Sequence, residues 1–371
     1  MKITNIEAIY VRLPQVKEQC DSGQDALLIK VSTDAGITGI GEVDSAPLAV
    51  KAVIEAPFSH TTACGLRELL IGEDPFQTEV LWQKMYRKNI YAGRRGIGIH
   101  AMSGIDMALW DIKGKALGQP IWKLLGGGFH ERIRVYASSL FGATPAETGE
   151  RARRFRDRGF TAVKFGWDPM GQDEKTDIAL VREARHGLGE DADLMIDAGL
   201  VWDTKTAIQR ARAFSEYRIF WLEEPLSPDN YEGYRRLSEA TDVRIAAGEE
   251  ESERQSFLQL MDQGKIDIVQ VDVTRCGGFT EAMKIAALAY DRGLPVVNHG
   301  FTTYINVAAA LHFLNSISHS FIAEFVAEEG TLLRDQITKQ RIVAVDGYVE
   351  PPSAPGLGID LNEEAIEKFR V

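Results

Sequence analysis

Cysteine is scarce. Cys20, Cys64 and Cys276 are the only three in 371 residues. They are too few and too far apart for a disulfide framework, and no close pair suggests a zinc site. Basic residues are outnumbered, 42 Lys and Arg against 54 Asp and Glu, for a formal net charge of −12. A bare nucleic-acid binder needs a basic face, and an anionic membrane surface attracts cations, so neither partner is expected. No apolar stretch approaches the roughly 18 residues of a membrane span. The N-terminal MKITNIEAIYVRLP lacks the charged start and long apolar run of a signal peptide. A reducing cytoplasm is the expected location. Low-complexity tracts and Ser/Gly-rich linkers are absent too. No Gly-x-Gly-x-x-Gly turn follows a first strand, which leaves a doubly wound dinucleotide-binding sheet without its main signature.

What is present is ordinary in amount and informative in order. Hydrophobic residues make up 44% and charged residues 26%, enough for a sizeable core in one large domain or two moderate ones. The N-terminus alternates like a strand. Residues 26–36 and 37–43, ALLIKVSTDAG and ITGIGEV, read as a hairpin with a Gly-containing turn. DMALWDIKGKALGQPIWKLL, from Asp106 to Leu125, has helical spacing, broken at Gly118-Gln119-Pro120. The Gly126–Gly128 triplet is the clearest internal boundary. Beyond it, short apolar runs alternate with amphipathic helical stretches. The candidate strands are RIRVYASSL, TAVKFGW, DLMIDAG, IFWLEEP, VRIAAGEE, IDIVQVDVT, LPVVNHG and SFIAEFV. Eight such units predict an α/β barrel of the TIM type.

Polar residues interrupt these strands at regular intervals. Lys164, Asp197, Glu223, Glu249, Asp272, His299 and Glu324 follow one another at separations of 23 to 33 residues, about one β/α unit each. In a barrel the C-terminal strand ends converge on one mouth. An acid just past a strand also serves as a helix N-cap, and each of Asp197, Glu223 and Glu249 has that bland reading. Three carboxylates on consecutive strands would repel one another, whereas a hard divalent cation such as Mg²⁺ removes that cost. Asp272 precedes His299 by one unit, so an Asp–His dyad is expected, the carboxylate fixing the imidazole tautomer and raising its basicity. Lys164 either faces the mouth or snorkels to the surface. Glu324 either faces the mouth or caps a helix.

The motifs ALWDIKGKALGQPIWKLLGG (108–127), MIDAG with Asp197, WLEEP (221–225), AAGEE (246–250), VDVTRCGG (271–278), VVNHG with His299, IAEF with Glu324 and PGLGID (355–360) are weak singly and specific in this order. On them the sequence resembles the mandelate racemase branch of the enolase superfamily over essentially its whole length. The resemblance implies a modified TIM barrel, (β/α)₇β, under an α+β capping domain built from the N-terminus and the extreme C-terminus. The corresponding segments are residues 1–127, 128–340 and 341–371. It implies that Asp197, Glu223 and Glu249 bind Mg²⁺; in WLEEP the family keeps the first Glu. It implies that Asp272 and His299 form a base dyad and that Glu324 hydrogen-bonds the substrate carboxylate. Cap loops within residues 16–25 and around 44–50 would shape specificity. A homo-oligomer, dimer or octamer, is implied as well.

One departure directs the functional expectation. Many members carry Lys-x-Lys at the second strand, with the second Lys as a base. Here the segment is Lys164-Phe165-Gly166, and glycine moves no proton. Trp167 beside it is available to fill the vacated volume. Racemisation normally needs bases on both faces, whereas loss of an α-proton followed by a β-hydroxyl needs one. The expectation is therefore Mg²⁺-dependent dehydration of a small carboxylate, an aldonate or aldarate, to a 2-keto-3-deoxy acid through an enediolate. The enolase superfamily is the type example of that metal-and-base chemistry. Lys164 then neutralises the substrate carboxylate. The alternatives are a racemase or epimerase and a catalytically silent metal-binding relative. Glu250 and Glu251 are either site acids or solvation of a helix start. The last strand lacks the Asp-x-Asp expected of dipeptide epimerases.

Overall fold

In the computed structural model, which describes residues 1–18, 20–60, 64–328 and 332–371, the N-terminal alternation forms an antiparallel sheet. Its strands are β1 (Ile3–Arg12), β2 (Asp25–Thr33) and β3 (Thr38–Val43), in sequence order. Successive side chains of a strand point to opposite faces. Leu27, Ile29 and Val31 therefore enter one core and Ala26 and Leu28 another. The first core lies under helices α1 (Pro47–Glu55), α2 (Leu66–Leu70), α3 (Thr78–Gly93) and α4 (Ile97–Leu117). The second is continuous with the barrel's outer core, so the sheet is a layer between helices and barrel. The α4 backbone presses onto β3. A β-carbon at Gly41 would fall 2.1 Å from the Gly104 carbonyl oxygen.

The helical motif from Asp106 onward extends N-terminally to Ile97 and ends at Gly118 in the left-handed conformation; a short α5 (Ile121–Leu124) follows. Its acids tie the layers together. Asp106 accepts from the Thr280 hydroxyl at 2.6 Å and from the Thr280 amide at 2.9 Å. Asp111 accepts from the amides of Ile40 (2.9 Å) and Leu357 (2.8 Å) and pairs with Lys115 at 2.6 Å. One buried carboxylate thus joins β3, α4 and the C-terminal segment.

The barrel follows as β4 (Ile133–Leu140), α6 (Pro145–Asp157), β5 (Ala162–Gly166), α7 (Glu174–Leu188), β6 (Asp193–Asp197), α8 (Thr204–Ser215), β7 (Ile219–Glu223), α9 (Tyr231–Ser238), β8 (Arg244–Ala247), α10 (Arg254–Gln259), β9 (Ile268–Val271), α11 (Gly278–Tyr290), β10 (Val296–Asn298), α12 (Tyr304–Asn315) and β11 (Ala323–Val326). Eight strands with seven intervening helical segments make a (β/α)₇β order. Neighbours pair in parallel from β10 down to β4, and β4 pairs with β11. The β10–β11 seam is held by a parallel bridge between Val296 and Ser320 and by the Glu324 amide donating to Asn298 Oδ1 at 2.8 Å. Side-chain N-caps open the helices: Thr144, Asp173, Asp203, Asn230 and Thr303 each accept from an amide of the first turn. Tyr136, Met195, Trp221, Ile268 and Val297 fill the barrel interior, with Tyr136 edge-on to Trp221.

After β11 come α13 (Leu332–Ile337), β12 (Tyr348–Val349), which pairs antiparallel with β4, and α14 (Glu363–Phe369). The last helix returns to the first sheet. Arg370 bridges Val11, the Val371 amide donates to Tyr10 O at 3.1 Å, and Glu363 pairs with Lys30 at 2.8 Å. No helix among the described residues is long and apolar enough to cross a membrane.

Candidate active site

The polar residues singled out along the barrel meet at its C-terminal mouth. Asp197 and Glu223 are the last residues of β6 and β7; Glu249, Asp272 and His299 lie just beyond β8, β9 and β10. Lys164 and Glu324 sit inside β5 and β11 rather than at their ends. Alternation explains how they still face inward. Val163 and Phe165, Ala323 and Phe325 pack into the outer core, which leaves Lys164, Gly166 and Glu324 on the inner face. A cavity of about 390 Å³ opens there, lined by Lys164, Asp197, Glu249, Arg275, His299 and Glu324 among others.

Asp197, Glu223 and Glu249 are buried, and each offers a carboxylate oxygen within 4.8 Å of the others. The neighbours orient them. The Gly199 amide donates to Asp197 Oδ1 and Trp221 Nε1 to Glu223 Oε2, both at 2.9 Å. Burial pushes the Asp197 carboxyl up to about 6 and that of Glu223 to about 7, and raises Glu249. Mutual repulsion adds to the burial. Three buried oxygen donors held at this cost fit a hard divalent cation, which favours all three ionised forms. The second acid of WLEEP is elsewhere: Glu224 has φ +37° and accepts from the Gly248 amide at 3.0 Å.

Lys164 Nζ lies against Glu223, 2.9 Å from Glu324 Oε1 and 3.7 Å from Asp197 Oδ2. Burial alone would lower its pKa, but the charges of Glu223 and Glu324 hold it well above its ordinary value. Lys164 in turn keeps the Glu324 carboxyl low against the effect of burial, and the Gly300 amide donates to Glu324 Oε2 at 2.8 Å.

Across the mouth, His299 Nδ1 and Asp272 Oδ2 are 2.7 Å apart. Burial opposes protonation of the imidazole, yet the Glu249 charge and the Asp272 hydrogen bond raise His299 to about 10. Asp272 is gripped further by the Thr274 amide and hydroxyl, both at 2.7 Å, and by Asn306 Nδ2 at 3.3 Å. His299 Nε2 faces Glu249 Oε2 at 3.5 Å. Asp44, Asp272 and His299 form a second close group, but Arg275 already pairs with Asp44 at 2.9 Å and the other two bond each other.

One expectation is corrected and one open alternative is narrowed. Trp167 does not fill space left by Gly166: it is half exposed at the mouth. The space belongs to Asp197, whose Cβ would lie 2.7 Å and Oδ2 3.0 Å from a β-carbon at position 166. Of the two readings open for Glu250 and Glu251, solvation of a helix start does not describe Glu251. Glu253 caps α10, Glu251 is buried and accepts from the Tyr231 hydroxyl at 3.1 Å, and Glu250 Oε1 lies 3.7 Å from Arg275.

The cap closes the cavity with Glu18, Cys20, Ser22 and Gly23 from the loop after β1 and with Asp44 after β3. These fall in the two stretches the resemblance marks, apart from residue 19, which lies outside the described residues. The loop is docked by the Gly23 amide on Phe301 O (3.0 Å), Ser22 Oγ on Thr302 O (3.3 Å) and the Leu140 amide on Asp21 Oδ1 (2.6 Å). Sequence reasoning did not single out Arg275, although its charge sits three residues beyond Asp272 in an otherwise apolar motif. Asn306 gave no signal of its own.

Comparison with known proteins agrees with this fold. Residues 147–365 match the family described as enolase C-terminal domain-like, and residues 10–126 match the mandelate racemase/muconate lactonizing enzyme N-terminal domain. The chain is 34% identical over 358 residues to a D-galactarolactone cycloisomerase of Agrobacterium fabrum, covering 93% of this chain and 91% of the relative. It is 33% identical to a D-galactonate dehydratase of Pectobacterium atrosepticum, covering 92% and 90%. Among solved structures, the 3,6-anhydro-D-galactonate cycloisomerase of Zobellia galactanivorans superposes over 100% of both chains with a TM-score of 0.90 at 33% identity.

Proposed function

The chain belongs to the mandelate racemase/muconate lactonizing enzyme family of the enolase superfamily, and from that premise we propose that it is a Mg²⁺-dependent acid-sugar dehydratase, a hydro-lyase. Asp197, Glu223 and Glu249 would hold the ion, their clustering supporting this assignment. Bound there, Mg²⁺ supplies the Lewis acidity that stabilises negative charge on the substrate carboxylate when the α-proton leaves. With a cation on Glu249, that carboxylate would no longer hold the His299 imidazole protonated, and the neutral ring, oriented by Asp272, would take the proton. Lys164 and Glu324 flank the carboxylate, one by charge and the other by a hydrogen bond. The electron pair left at the α-carbon forms the C=C bond as the β-carbon–oxygen bond breaks. The departing hydroxide takes a proton, from His299 if both events share a face, and leaves as water. The enol then becomes a 2-keto-3-deoxy acid.

The observation that carries this reading is the closed position at Gly166. A second base there has neither a side chain nor room for one, because Asp197 fills the space. That favours one-base elimination over two-base racemisation. The test is incubation of the Mg²⁺-loaded protein with a library of aldonic and aldaric acids, scoring 2-keto product with a carbonyl reagent. Product that disappears in His299→Asn supports the assignment, and no product from any acid with metal bound refutes it. Heavy-water exchange at the α-carbon with every hydroxyl retained would mark an epimerase instead.

The cycloisomerase relatives favour a second reading, in which the same proton abstraction opens a ring C–O bond. Sugar lactones and anhydro acids in the library test it, since their products form without loss of water. The proposal extends to a cytoplasmic homo-oligomer with the three-part division at residues 127 and 340. Cell fractionation, light scattering and limited proteolysis check these in turn.

A further inference from the structure

Resting on that dehydration reading, we propose that the site selects polyhydroxy acids with one carboxylate, aldonates, over those with a carboxylate at each end, aldarates. The cavity is electrically asymmetric. Its inner end holds Lys164 and the three-carboxylate cluster, where the reacting carboxylate is expected. The cap-facing lining brings Glu18 and Asp44, and the turn after β5 brings Asp168. Glu18 and Asp168 are exposed, and neither has an ion-pair partner among the described residues.

Among the described residues, and apart from Lys164 and His299, Arg275 is the one cationic side chain of the lining. It is already committed. Its guanidinium pairs with Asp44 Oδ2 at 2.9 Å and lies 3.6 Å from Glu249 Oε1, 3.7 Å from Glu250 Oε1 and 4.0 Å from Asp272 Oδ2. It also donates to the Glu249 carbonyl at 3.3 Å. Arg275 therefore neutralises protein carboxylates and has no share left for a substrate anion.

The charged groups of the outer end are thus anionic acceptors, beside uncharged hydroxyls such as Ser139 and Thr302 that either donate or accept. Ionised Asp and Glu accept hydrogen bonds and donate none. The terminal hydroxyls of an aldonate are donors and match them. The second carboxylate of an aldarate offers only acceptors and a like charge. Two unit charges screened as in water, taken at about 6 Å each, would weaken its binding by on the order of tenfold.

Binding is measured on Mg²⁺-loaded His299→Asn, which removes turnover, by calorimetry with D-gluconate against D-glucarate and D-galactonate against D-galactarate. The expected result is roughly tenfold tighter binding of the monoacid in at least one pair. Adding Glu18→Gln and Asp168→Asn should narrow that gap to about threefold or less by strengthening the diacid. Equal or tighter binding of both diacids, no binding of any of the four, or a gap untouched by the double substitution overturns the proposal. Turnover separates it from the reading beneath it. Monoacid preference with no 2-keto product from any acid refutes dehydration alone. Product formed faster from diacids than from monoacids refutes the selection alone.

Discussion

Glu42 offers a direct test of how cap and barrel are joined. It lies on β3 and is fully buried. Its Oε2 accepts from the Thr303 hydroxyl at 2.7 Å and the Asn306 amide at 3.1 Å. Its Oε1 makes no well-formed hydrogen bond among the described residues, although the Thr302 hydroxyl, likewise unpartnered, lies near enough to favour the ionised form slightly. Burial, against the pull of the Thr303 hydroxyl, pushes its carboxyl up from 4.5 to about 8. An acid whose pKa is higher folded than unfolded binds its proton more tightly in the folded state. Below pH 4.5 both states are protonated and nothing is lost. Between pH 4.5 and 8 the unfolded chain ionises while the folded one does not, so stability falls by about 1.4 kcal/mol per pH unit. Above pH 8 the full cost is present. Between pH 5.5 and 8.5 the loss from this one group comes to roughly 3 kcal/mol.

Glu42→Gln keeps the shape and removes the titration. Its carbonyl can accept from Thr303 and Asn306, while its amide group takes the unpartnered side, at a cost of about 1 kcal/mol at any pH. The stability of the variant relative to wild type should therefore rise by roughly 3 kcal/mol from pH 5.5 to pH 8.5. Urea unfolding in the presence of chelator, at three pH values, measures that difference and cancels every other titrating group. A difference that stays constant across the range would show that Glu42 is ionised in the fold, and the reasoning would fail. Glu42→Leu should be worse at every pH, because it orphans the Thr303 hydroxyl and the Asn306 amide. Asn306 also holds Asp272, so Glu42→Leu should slow turnover as well as loosen the fold.

Gly166→Ala should weaken Mg²⁺ binding about tenfold or more, measured by calorimetry, because the new methyl must displace the Asp197 side chain. Unchanged affinity would mean that Asp197 is not a ligand. Asp111→Ala should cost about 3–5 kcal/mol in urea unfolding, since it strips Lys115 and two amides of their shared partner at once. Mg²⁺ at 100 times its dissociation constant should add about 2.7 kcal/mol of stability, read as a rise in melting temperature that chelation reverses. Glu223→Gln should abolish most of that rise, whereas Glu224→Gln should not.

The prediction about Glu223 and Glu224 shows where the sequence was legible and where it stopped. Two identical residues stand side by side, and the choice between them came from family resemblance. The physical choice lay in the parity of the strand. Trp221 fills the barrel interior and Leu222 the outer core, so Glu223 must face in, and only the positive φ of Glu224 ends that alternation. The strand-end acids and the Asp–His pair were readable for the same reason: a charge at an inward position of an apolar strand is expensive unless a function uses it. Glu42 obeys the same rule but gave no usable signal, and the one that Arg275 gave, a charge in the turn three residues beyond Asp272, did not reveal its role. Their partners lie 261 and 231 residues away in the chain, and a lone acid on a cap strand reads as a solvent-facing residue until the barrel is packed against it. Gly166 misled in the other direction. A missing side chain suggested a vacancy, but volume is shared in a close-packed interior, and the neighbouring strand had already placed a carboxylate there. Its absence is therefore better read as a condition for the position of Asp197 than as the loss of a catalytic lysine.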